Sequence, residues 1–371
     1  MASKRKRFKD AKAEKLEKKR KARKRKRAFV LILEVLIFCG LLSIGYLMEN
    51  YDKIKSKSFD SDSIFVNDGV SQDGYMTIAL FGGDSREGQL EEGTHADTII
   101  LVSVNTNTKE IKMVSVYRDT PLEQMDGTIA KANSAYFTGG PQEAINMLNK
   151  NLDLHITDYV TVDFKAMVNI VDLLGGIEID VTAAEAAELN NYIEETARVA
   201  GTEAVPVSEG TQILDGAQAV PYARIRKNVG GDYARTERQR VVIQKIAEKV
   251  KTADLSTITD IINQVVEQIS TSFELNELLS LAKDIGNYKI GESSGFPFEK
   301  TDGSIEGLGS VVIPLGMKEN VEELHAFLYP GVDYTSSDVV NNISNAIETL
   351  TGYGRQDYSS ANNGEAEDRA E

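Results

Sequence analysis

The feature that most constrains this chain is a long apolar run at 28–48, AFVLILEVLIFCGLLSIGYLM. A helix of about 20 apolar residues spans the hydrocarbon core of a bilayer, so the run predicts one transmembrane helix. Its one charged residue, Glu34, lies near the basic end, where a carboxylate reaches the interface or a neighbouring cation. A cleaved signal peptide is the alternative, but the preceding basic region is too long and the small-residue site at Ser43 and Gly45 is weak. We therefore predict an uncleaved anchor.

The charge of the chain changes sign at this run. Residues 1–27 carry 16 Lys and Arg against 3 Asp and Glu, a net charge of +13, and because the whole chain has −15, the remainder carries −28. Basic residues stay on the cytoplasmic side, so we predict a single-pass protein of the cell membrane with 49–371 outside. A juxtamembrane basic run typically binds anionic lipids, and the acidic exported part argues against nucleic acid as a partner. The single cysteine, Cys39, lies in the span, which leaves the exported part without a disulfide or a thiol nucleophile.

The exported part divides by composition into four segments. Residues 49–74 are polar and predict a stalk, and 75–330 alternate buried strands with amphipathic helices, which predicts an α/β domain. Residues 331–351 predict a C-terminal helical extension, and the polar tail 352–371 has the composition of disorder. One helix, at 164–174, carries an apolar face that core packing explains best, although a lipid-lined groove would have the same pattern.

A stretch at 221–240, PYARIRKNVGGDYARTERQR, concentrates five arginines. The apolar periodicity downstream predicts a helix from about Tyr233 with Val242 on its inner face. Projected at about 100° per residue, the inner face or its flank takes Arg235, Gln239 and Arg238, and the opposite face takes Glu237, Arg240 and Gln244. Buried guanidinium groups need partners, since desolvating an unpaired charge costs several kcal/mol. The stretch therefore predicts either an internal ion-pair network, with Asp232 as one partner, or a phosphate or pyrophosphate site.

Aspartate and arginine also follow the predicted strands. Asp84 and Arg86 lie in the turn after the first strand of the domain, and Asp97 precedes the next apolar run. Arg118 and Asp119 end the strand after that, although a local ion pair would explain these two equally well. The sequence has no nucleophile elbow, paired-histidine zinc motif or cysteine cluster. Carboxylates that hold Mg²⁺ and arginines that neutralise a leaving phosphate remain, so the sequence indicates phosphoryl transfer.

Seven motifs occur together between about residues 75 and 250, and none of them is specific alone. They are GGDSR at 82–86, ADTIILVSVN at 96–105, SVYRDT at 115–120, KANSAY at 131–136, VDLLGG at 171–176, YARIR at 222–226 and GDYARTERQR at 231–240. In this order and spacing they resemble the LytR-CpsA-Psr family. The resemblance implies an extracytoplasmic enzyme that attaches polyprenyl-pyrophosphate-linked glycopolymers, such as teichoic acid or capsule, to peptidoglycan through a phosphodiester. It also implies a three-layer α-β-α sandwich around a mixed central sheet, which encloses the polyprenyl tail and includes 164–174 in the lipid lining.

The resemblance further implies roles for individual residues. Asp84 and Asp97 match the carboxylates that bind Mg²⁺, with Mn²⁺ as an alternative, and Arg118 matches the arginine central to phosphate transfer. The residues that match pyrophosphate contacts are Arg86, Arg118, Arg224, Arg226, Arg235, Arg238 and Gln239. Asp119 and Asp232 are expected to orient the neighbouring arginines. Asp97 or Asp84 is also a candidate to take the proton of the attacking hydroxyl, although metal binding and base duty compete.

Two residues depart from the family pattern. His95 stands where the family commonly has arginine, and Tyr117 stands where it often has proline. The first removes a permanent positive charge, and the second changes the geometry of a strand end. Three other functions stay open: a pyrophosphatase in which water replaces the sugar hydroxyl, a transcriptional regulator suggested by the basic N-terminus, and a wall-binding protein without turnover.

Overall fold

The computed structural model describes residues 55–56, 63–83, 90, 93–265, 268–273 and 285–368, all within the compact unit Asn50–Glu371. The predicted basic tail and anchor, and the predicted site residues Asp84 and Arg86, lie outside these ranges. The strands are β1 (Lys55–Ser56), β2 (Tyr75–Gly83), β3 (Ala96–Asn105), β4 (Glu110–Val116), β5 (Pro121–Glu123), β6 (Ile129–Lys131), β7 (Asp158–Val162), β8 (Ile177–Val181), β9 (Gly210–Leu214), β10 (Ile269–Thr271), β11 (Lys289–Phe296), β12 (Lys300–Ile305) and β13 (Gly309–Pro314). The helices are α1 (Asn133–Leu152), α2 (Phe164–Leu173), α3 (Ala183–Leu189), α4 (Ile193–Ala200), α5 (Gly216–Tyr222), α6 (Gly231–Val250), α7 (Leu255–Val265), α8 (Met317–Leu328), α9 (Asp338–Thr351) and α10 (Arg355–Asp368). None of these helices has both the length and the apolar character to cross a bilayer.

Seven strands form one mixed sheet in the order β1-β10-β7-β2-β3-β4-β11. The pairs β2–β3 and β3–β4 are antiparallel, whereas β7 runs parallel to β2 and β11 runs parallel to β4. The central strands β2 and β3 carry the apolar runs YMTIALFGG and ADTIILVSVN, since both faces of a central strand are covered. The ribbons β5–β6, β8–β9 and β12–β13 lie outside this sheet. The predicted α/β architecture, a mixed central sheet flanked by helices, is confirmed.

One face of the sheet, here called the closed face, carries Ala79, Phe81 and Tyr159. Helices α1, α8 and α9 pack on it in a continuous apolar core. The helix side chains in this core include Ile145, Leu148, Leu324, Leu328, Ile343 and Ile347. Their burial removes most of the apolar surface of these helices from water, which is the dominant favourable term in folding.

The opposite face, here called the open face, carries Leu80, Val160 and Val162, because successive strand residues point to opposite sides of a sheet. Helices α2, α5 and α6 cover this face without filling the space above it. Gly216 lets α5 approach α2 closely, since a Cβ there would lie 2.3 Å from the Val168 carbonyl oxygen. Beside the open face, α2, β8, β9 and α6 form a second apolar core.

Residues 63–74, predicted as part of a polar stalk, pack against α1. The Phe65 amide donates a hydrogen bond to Asn146 Oδ1 at 2.8 Å. Asn67 is 4% exposed and donates to the buried carboxylate of Asp153 at 2.6 Å. The stalk prediction is wrong for this stretch because its polar groups hydrogen-bond to α1 and its C-terminal cap.

The C-terminal segments also belong to the domain. Helix α9 lies in the predicted extension 331–351, and its Ile343 is buried in the closed-face core. The tail 352–371 was expected to be disordered, and this is wrong for the stretch that forms α10. Tyr358 of α10 donates a hydrogen bond to Glu323 of α8 at 2.7 Å. The helix α10 is therefore polar in composition, but side-chain contact with α8 holds it against the domain.

Asp153 joins both terminal segments to α1. It follows α1 in the left-handed conformation, at φ 49°, and its side chain is fully buried. Its carboxylate accepts hydrogen bonds from Asn67, from the Tyr334 hydroxyl at 2.6 Å, and from the Ser337 amide and hydroxyl at 2.8 and 2.7 Å. These donors offset the cost of burying a charged group.

Candidate active site

Arg118 lies in the turn after β4 and is held by carboxylates on two sides. Its Nη1 is ion-paired with Oδ1 of Asp97, at the start of β3, and its Nε lies 3.4 Å from Asp119 Oδ2. Asp119 Oδ1 in turn lies 2.8 Å from Lys131 Nζ. Because β3 and β4 are neighbouring antiparallel strands, the start of one meets the end of the other at the same edge of the sheet. Asp119 thus contacts Arg118, as predicted.

The charges of this cluster keep Arg118 ionised. Burial works against the charged guanidinium, but the carboxylates of Asp97 and Asp119 outweigh it and raise the pKa of Arg118 above its ordinary value. The Arg118 side chain remains 19% exposed. It is therefore a permanent cation that a ligand at this edge of the sheet can contact.

The first turn of α6 contributes a second group of cations. Gly230 precedes the helix in the left-handed region, at φ 86°, and Asp232 lies in the first turn. Asp232 Oδ2 accepts a hydrogen bond from Arg235 Nη2 at 3.0 Å, and its Oδ1 lies 3.5 Å from Arg226 Nε. Arg235 is 3% exposed, and burial lowers its pKa to about 10, so it stays positive at neutral pH. Asp232 orients both arginines, as predicted.

A polar pocket of about 420 Å³ is bordered by both groups. The predicted site residues that line it are Asp97, Arg224, Arg226, Arg235 and Gln239. Phe164, from the helix expected to line the lipid, also borders the pocket, and the lining residues that sequence reasoning missed are Thr98, Tyr192, Glu195, Thr196, Pro221 and Lys227. Arg118 adjoins the pocket through its ion pair with Asp97. Guanidinium groups bind phosphate oxygens in a bidentate geometry, so this concentration of them suits an anionic ligand such as phosphate or pyrophosphate.

An apolar cavity of about 270 Å³ on the open face adjoins the polar pocket. Its apolar walls include Leu80, Val160, Val162, Met167, Val220, Val242, Ile243 and Ile246. The residues that line both spaces are Thr98, Phe164, Arg224 and Gln239. Arg224 marks the boundary, since its guanidinium carbon lies 4.3 Å from the centroid of the Phe164 ring. The two spaces together fit a ligand that has an anionic head and an apolar tail.

The apolar face of α2 combines the two interpretations given to it from the sequence. Phe164 and Met167 line the apolar cavity. Val168 and Val171 are 2% and 0% exposed and pack inside the protein. Phe164 and Met167 therefore face the cavity, whereas Val168 and Val171 contribute to the packing of the fold.

Arg238 was predicted to contact pyrophosphate, but it does not line the polar pocket. Its Nη1 donates hydrogen bonds to Glu185 Oε1 and to the Val229 carbonyl, both at 3.1 Å, and its Nη2 donates to the Ile225 carbonyl at 2.6 Å. The residue is 5% exposed. It ties the loop before α6 to α3, and this loop carries Arg226. Its role in the structure is to position that loop.

Arg240 was expected on the outer face of α6, but it is 8% exposed. The expectation assumed one buried face, whereas α6 also packs against β11, β8 and β4. Burial lowers the pKa of the Arg240 guanidinium and raises the pKa of the neighbouring Tyr117 phenol. Tyr117, which departs from the family pattern, packs edge-on against Tyr233 with ring centroids 5.0 Å apart. This departure therefore contributes a contact between the end of β4 and the start of α6.

His95 and the predicted metal ligand Asp97 are described by the structure, and both lie near the start of β3. The exposed His95 ring stacks on Phe137 with centroids 4.5 Å apart. Asp97 borders the polar pocket, whereas its predicted partner Asp84 lies outside the described residues. Within the described ranges, no group of three or more His, Cys, Asp or Glu is arranged to hold a metal ion.

Comparison with known proteins agrees with the motifs and with the sheet. A sequence model of the LytR_cpsA_psr family matches residues 44–312. The chain belongs to the LytR-CpsA-Psr family. Its relatives in that family include the polyisoprenyl-teichoic acid–peptidoglycan teichoic acid transferase TagU of Halalkalibacterium halodurans, 31% identical over 69% of this chain and 83% of that protein. The polyisoprenyl-teichoic acid–peptidoglycan teichoic acid transferase TagV of Bacillus subtilis is 27% identical over 83% of this chain and 78% of that protein.

Solved structures of the LytR-CpsA-Psr family share the fold. One is the family protein YwtF (TagT) with bound octaprenyl pyrophosphate lipid, which superposes with a TM-score of 0.52 at 22% identity. The match covers 73% of this chain and 93% of that chain. At this identity the likeness supports the fold alone.

Proposed function

We propose that this protein is a membrane-anchored phosphotransferase that moves a glycopolymer, of teichoic acid or capsule type, from polyprenyl pyrophosphate to peptidoglycan through a phosphodiester. The observation that carries the proposal is the junction of the cationic pocket with the apolar cavity at Arg224 and Phe164. A polyprenyl pyrophosphate has the two chemical parts that these spaces fit. The names of TagU and TagV, which describe transfer of teichoic acid to peptidoglycan, support the same reaction.

In this reaction a hydroxyl of peptidoglycan attacks the glycan-proximal phosphorus. A new O–P bond forms, the bond from that phosphorus to the bridging oxygen breaks, and polyprenyl phosphate leaves with the electron pair. Arg118, Arg226 and Arg235 stabilise the charge that develops on the phosphate oxygens, and Arg224 and Gln239 hold the donor where its head meets its tail. Preorganised cations at such positions contribute roughly 3–4 kcal/mol each to the barrier reduction.

Asp97 is a carboxylate of the polar pocket that serves the remaining needs of the chemistry. It borders the pocket, so it is placed to take the proton of the attacking hydroxyl. Carboxylate and phosphate oxygens are also the ligands that Mg²⁺ or Mn²⁺ prefers, so Asp97 fits a metal ligand, with Asp84 as the partner that the family pattern implies. A bound ion would supply further neutralisation of the phosphate charge. Metal binding and proton transfer compete for the Asp97 carboxylate.

The direct test is transfer of a labelled polyprenyl-pyrophosphate saccharide to peptidoglycan fragments by the full chain in lipid nanodiscs. Mass spectrometry detects the phosphodiester-linked conjugate. We expect Arg118→Ala to lower the rate about 10³-fold, because an arginine that stabilises transferring phosphate is worth that much or more. Arg355→Ala is the matched control, since its side chain is 84% exposed and lies in α10, away from the pocket. Release of free lipid phosphate without a conjugate would point to a pyrophosphatase, and unchanged lipid with every variant would contradict the chemistry.

The membrane topology is part of the same proposal. Residues 28–48 anchor the chain, residues 1–27 lie in the cytoplasm on anionic lipids, and the domain lies outside, where peptidoglycan is found. A reporter enzyme that is active only outside the cell should be active when it is fused to the C-terminus, and a reporter that is active only in the cytoplasm should not. Activity of the cytoplasmic reporter would contradict this topology and favour a regulator.

A further inference from the structure

The two walls of the polar pocket differ in chemistry. One wall is cationic and carries Arg224, Arg226, Lys227 and Arg235. The residues around the start of α4 that also line the pocket, here called the α4 wall, are Tyr192, Glu195 and Thr196. The α4 wall contributes a phenol, a carboxylate and a hydroxyl, and therefore none of the cations that pair with phosphate oxygens. It suits an uncharged, hydroxylated neighbour of the pyrophosphate.

We propose that the α4 wall is the subsite for the sugar joined directly to the pyrophosphate of the donor. This inference rests on the proposed function, in which the donor carries a glycan on the pyrophosphate. It assigns the ligand class as a pyranose ring with free hydroxyl or amide N–H donors. It also makes the α4 wall a determinant of which glycan is transferred.

Tyr192 supplies the stacking surface of this subsite. It immediately precedes α4, lines the polar pocket and is 44% exposed, so its ring is accessible to a ligand. Its hydroxyl donates a long hydrogen bond, 3.4 Å, to Glu188 Oε1. An exposed aromatic ring offers an apolar face to the C–H side of a sugar while its edge stays in water.

Glu195 and Thr196 supply hydrogen-bond acceptors. The Thr196 hydroxyl donates to the Tyr192 carbonyl at 3.1 Å, so its oxygen lone pairs remain to accept from a ligand. The Glu195 carboxylate is exposed and borders the pocket, and an ionised carboxylate forms strong hydrogen bonds with sugar hydroxyls.

The order of the ligand along the site agrees with this assignment. The apolar cavity and the polar pocket share Thr98, Phe164, Arg224 and Gln239, so the tail and the head meet there. Tyr192, Glu195 and Thr196 line the polar pocket and not the apolar cavity. A donor with its tail in the cavity and its pyrophosphate on the arginines therefore has its sugar within or beside the polar pocket, which the α4 wall lines.

The test measures equilibrium binding of two lipids to the full chain in nanodiscs without any acceptor. The probes are octaprenyl pyrophosphate and the same lipid carrying one sugar, a hexose in one arm and an N-acetylhexosamine in the other. We expect Tyr192→Ala to weaken binding of the sugar-bearing lipid roughly tenfold and to leave the bare lipid unchanged. Tyr192→Phe should retain the affinity, because it keeps the ring. Glu194→Gln is the matched control, since Glu194 is an exposed neighbour on α4 that does not line the pocket.

Glu195→Gln separates sugar recognition from charge. Loss of hydrogen bonds should weaken binding of the sugar-bearing lipid about threefold to tenfold. Loss of a negative charge should leave the bare lipid unchanged or bind it slightly more tightly. Equal losses with both lipids, or no loss with either, would overturn the subsite. Failure of the unaltered protein to bind either lipid would instead contradict the proposed function and remove the basis of the subsite with it.

Discussion

The two faces of the central sheet are built from the same strands and serve different purposes. On the closed face, Phe81 and Leu148 are 1% and 0% exposed and interlock with their neighbours. On the open face, Leu80 and Val160 remain partly exposed beside a cavity of about 270 Å³. Close packing stabilises a fold, whereas space lined by apolar side chains holds a ligand. The alternation of side chains along β2 and β7 therefore separates a filled core from a face that has space for a ligand.

Alanine substitution of one leucine on each face tests the difference in packing between the two faces, and we expect the largest effect here. Leu148→Ala on the closed face should lower the free energy of unfolding by about 2–5 kcal/mol, because it leaves a void in a filled core. Leu80→Ala removes the same atoms beside an existing cavity, so we expect a loss of less than about 1.5 kcal/mol. Urea titration of both variants measures the difference. Equal losses would mean that the open face is packed as tightly as the closed one.

Asp153→Asn tests how the terminal segments are fixed to the closed face. Asparagine tolerates the left-handed backbone of this position as aspartate does, so the change isolates the carboxylate. It should destabilise the protein by about 2–3 kcal/mol, because hydrogen bonds to a buried charge are lost. Hydrogen exchange should speed up in 63–74 and α9 more than in α6. A uniform change along the chain would contradict the role of Asp153 as a local clamp.

Arg235 and Arg238 lie three residues apart on α6. Arg235 lines the polar pocket, whereas Arg238 hydrogen-bonds to groups of the protein and does not line that pocket. Arg238→Lys should lower the free energy of unfolding by about 1–2 kcal/mol, since lysine cannot reproduce its three hydrogen bonds. Arg235→Lys should weaken octaprenyl pyrophosphate binding with a smaller effect on stability. Isothermal titration and urea unfolding of both variants separate the two effects. The reverse pattern would restore the prediction that Arg238 contacts the pyrophosphate.

The helix α6 shows which side-chain positions could be predicted from the sequence and which could not. The positions of Arg235 and Gln239 followed from helical periodicity, because a regular helix places residues four apart on one face. The same projection failed for Arg240, because it allowed only one buried face and α6 packs on several elements. Two of the three hydrogen-bond acceptors of Arg238 are carbonyls of the loop before α6 and the third is Glu185 of α3, and helical periodicity does not predict which distant groups a side chain will meet.

Other features depended on tertiary contacts that composition does not report. Residues 63–74 and α10 are polar in sequence, but their polar groups hydrogen-bond to α1, its cap and α8. Lys131 occurs in the KANSAY motif, and only the fold shows its contact with Asp119. Tyr192 had no sequence signal, because an exposed aromatic beside a pocket and one on an ordinary surface look alike in a sequence.

The separation of the two faces is tested most directly by photo-cross-linking with octaprenyl pyrophosphate that carries a diazirine on its tail. The full chain in nanodiscs is irradiated, and labelled peptides are identified by mass spectrometry. We expect label in α2 and α6, around Met167 and Ile246, that unlabelled lipid competes away. Label on α1, α8 or α9 of the closed face, or label that resists competition, would contradict the assignment of the open face as the lipid site.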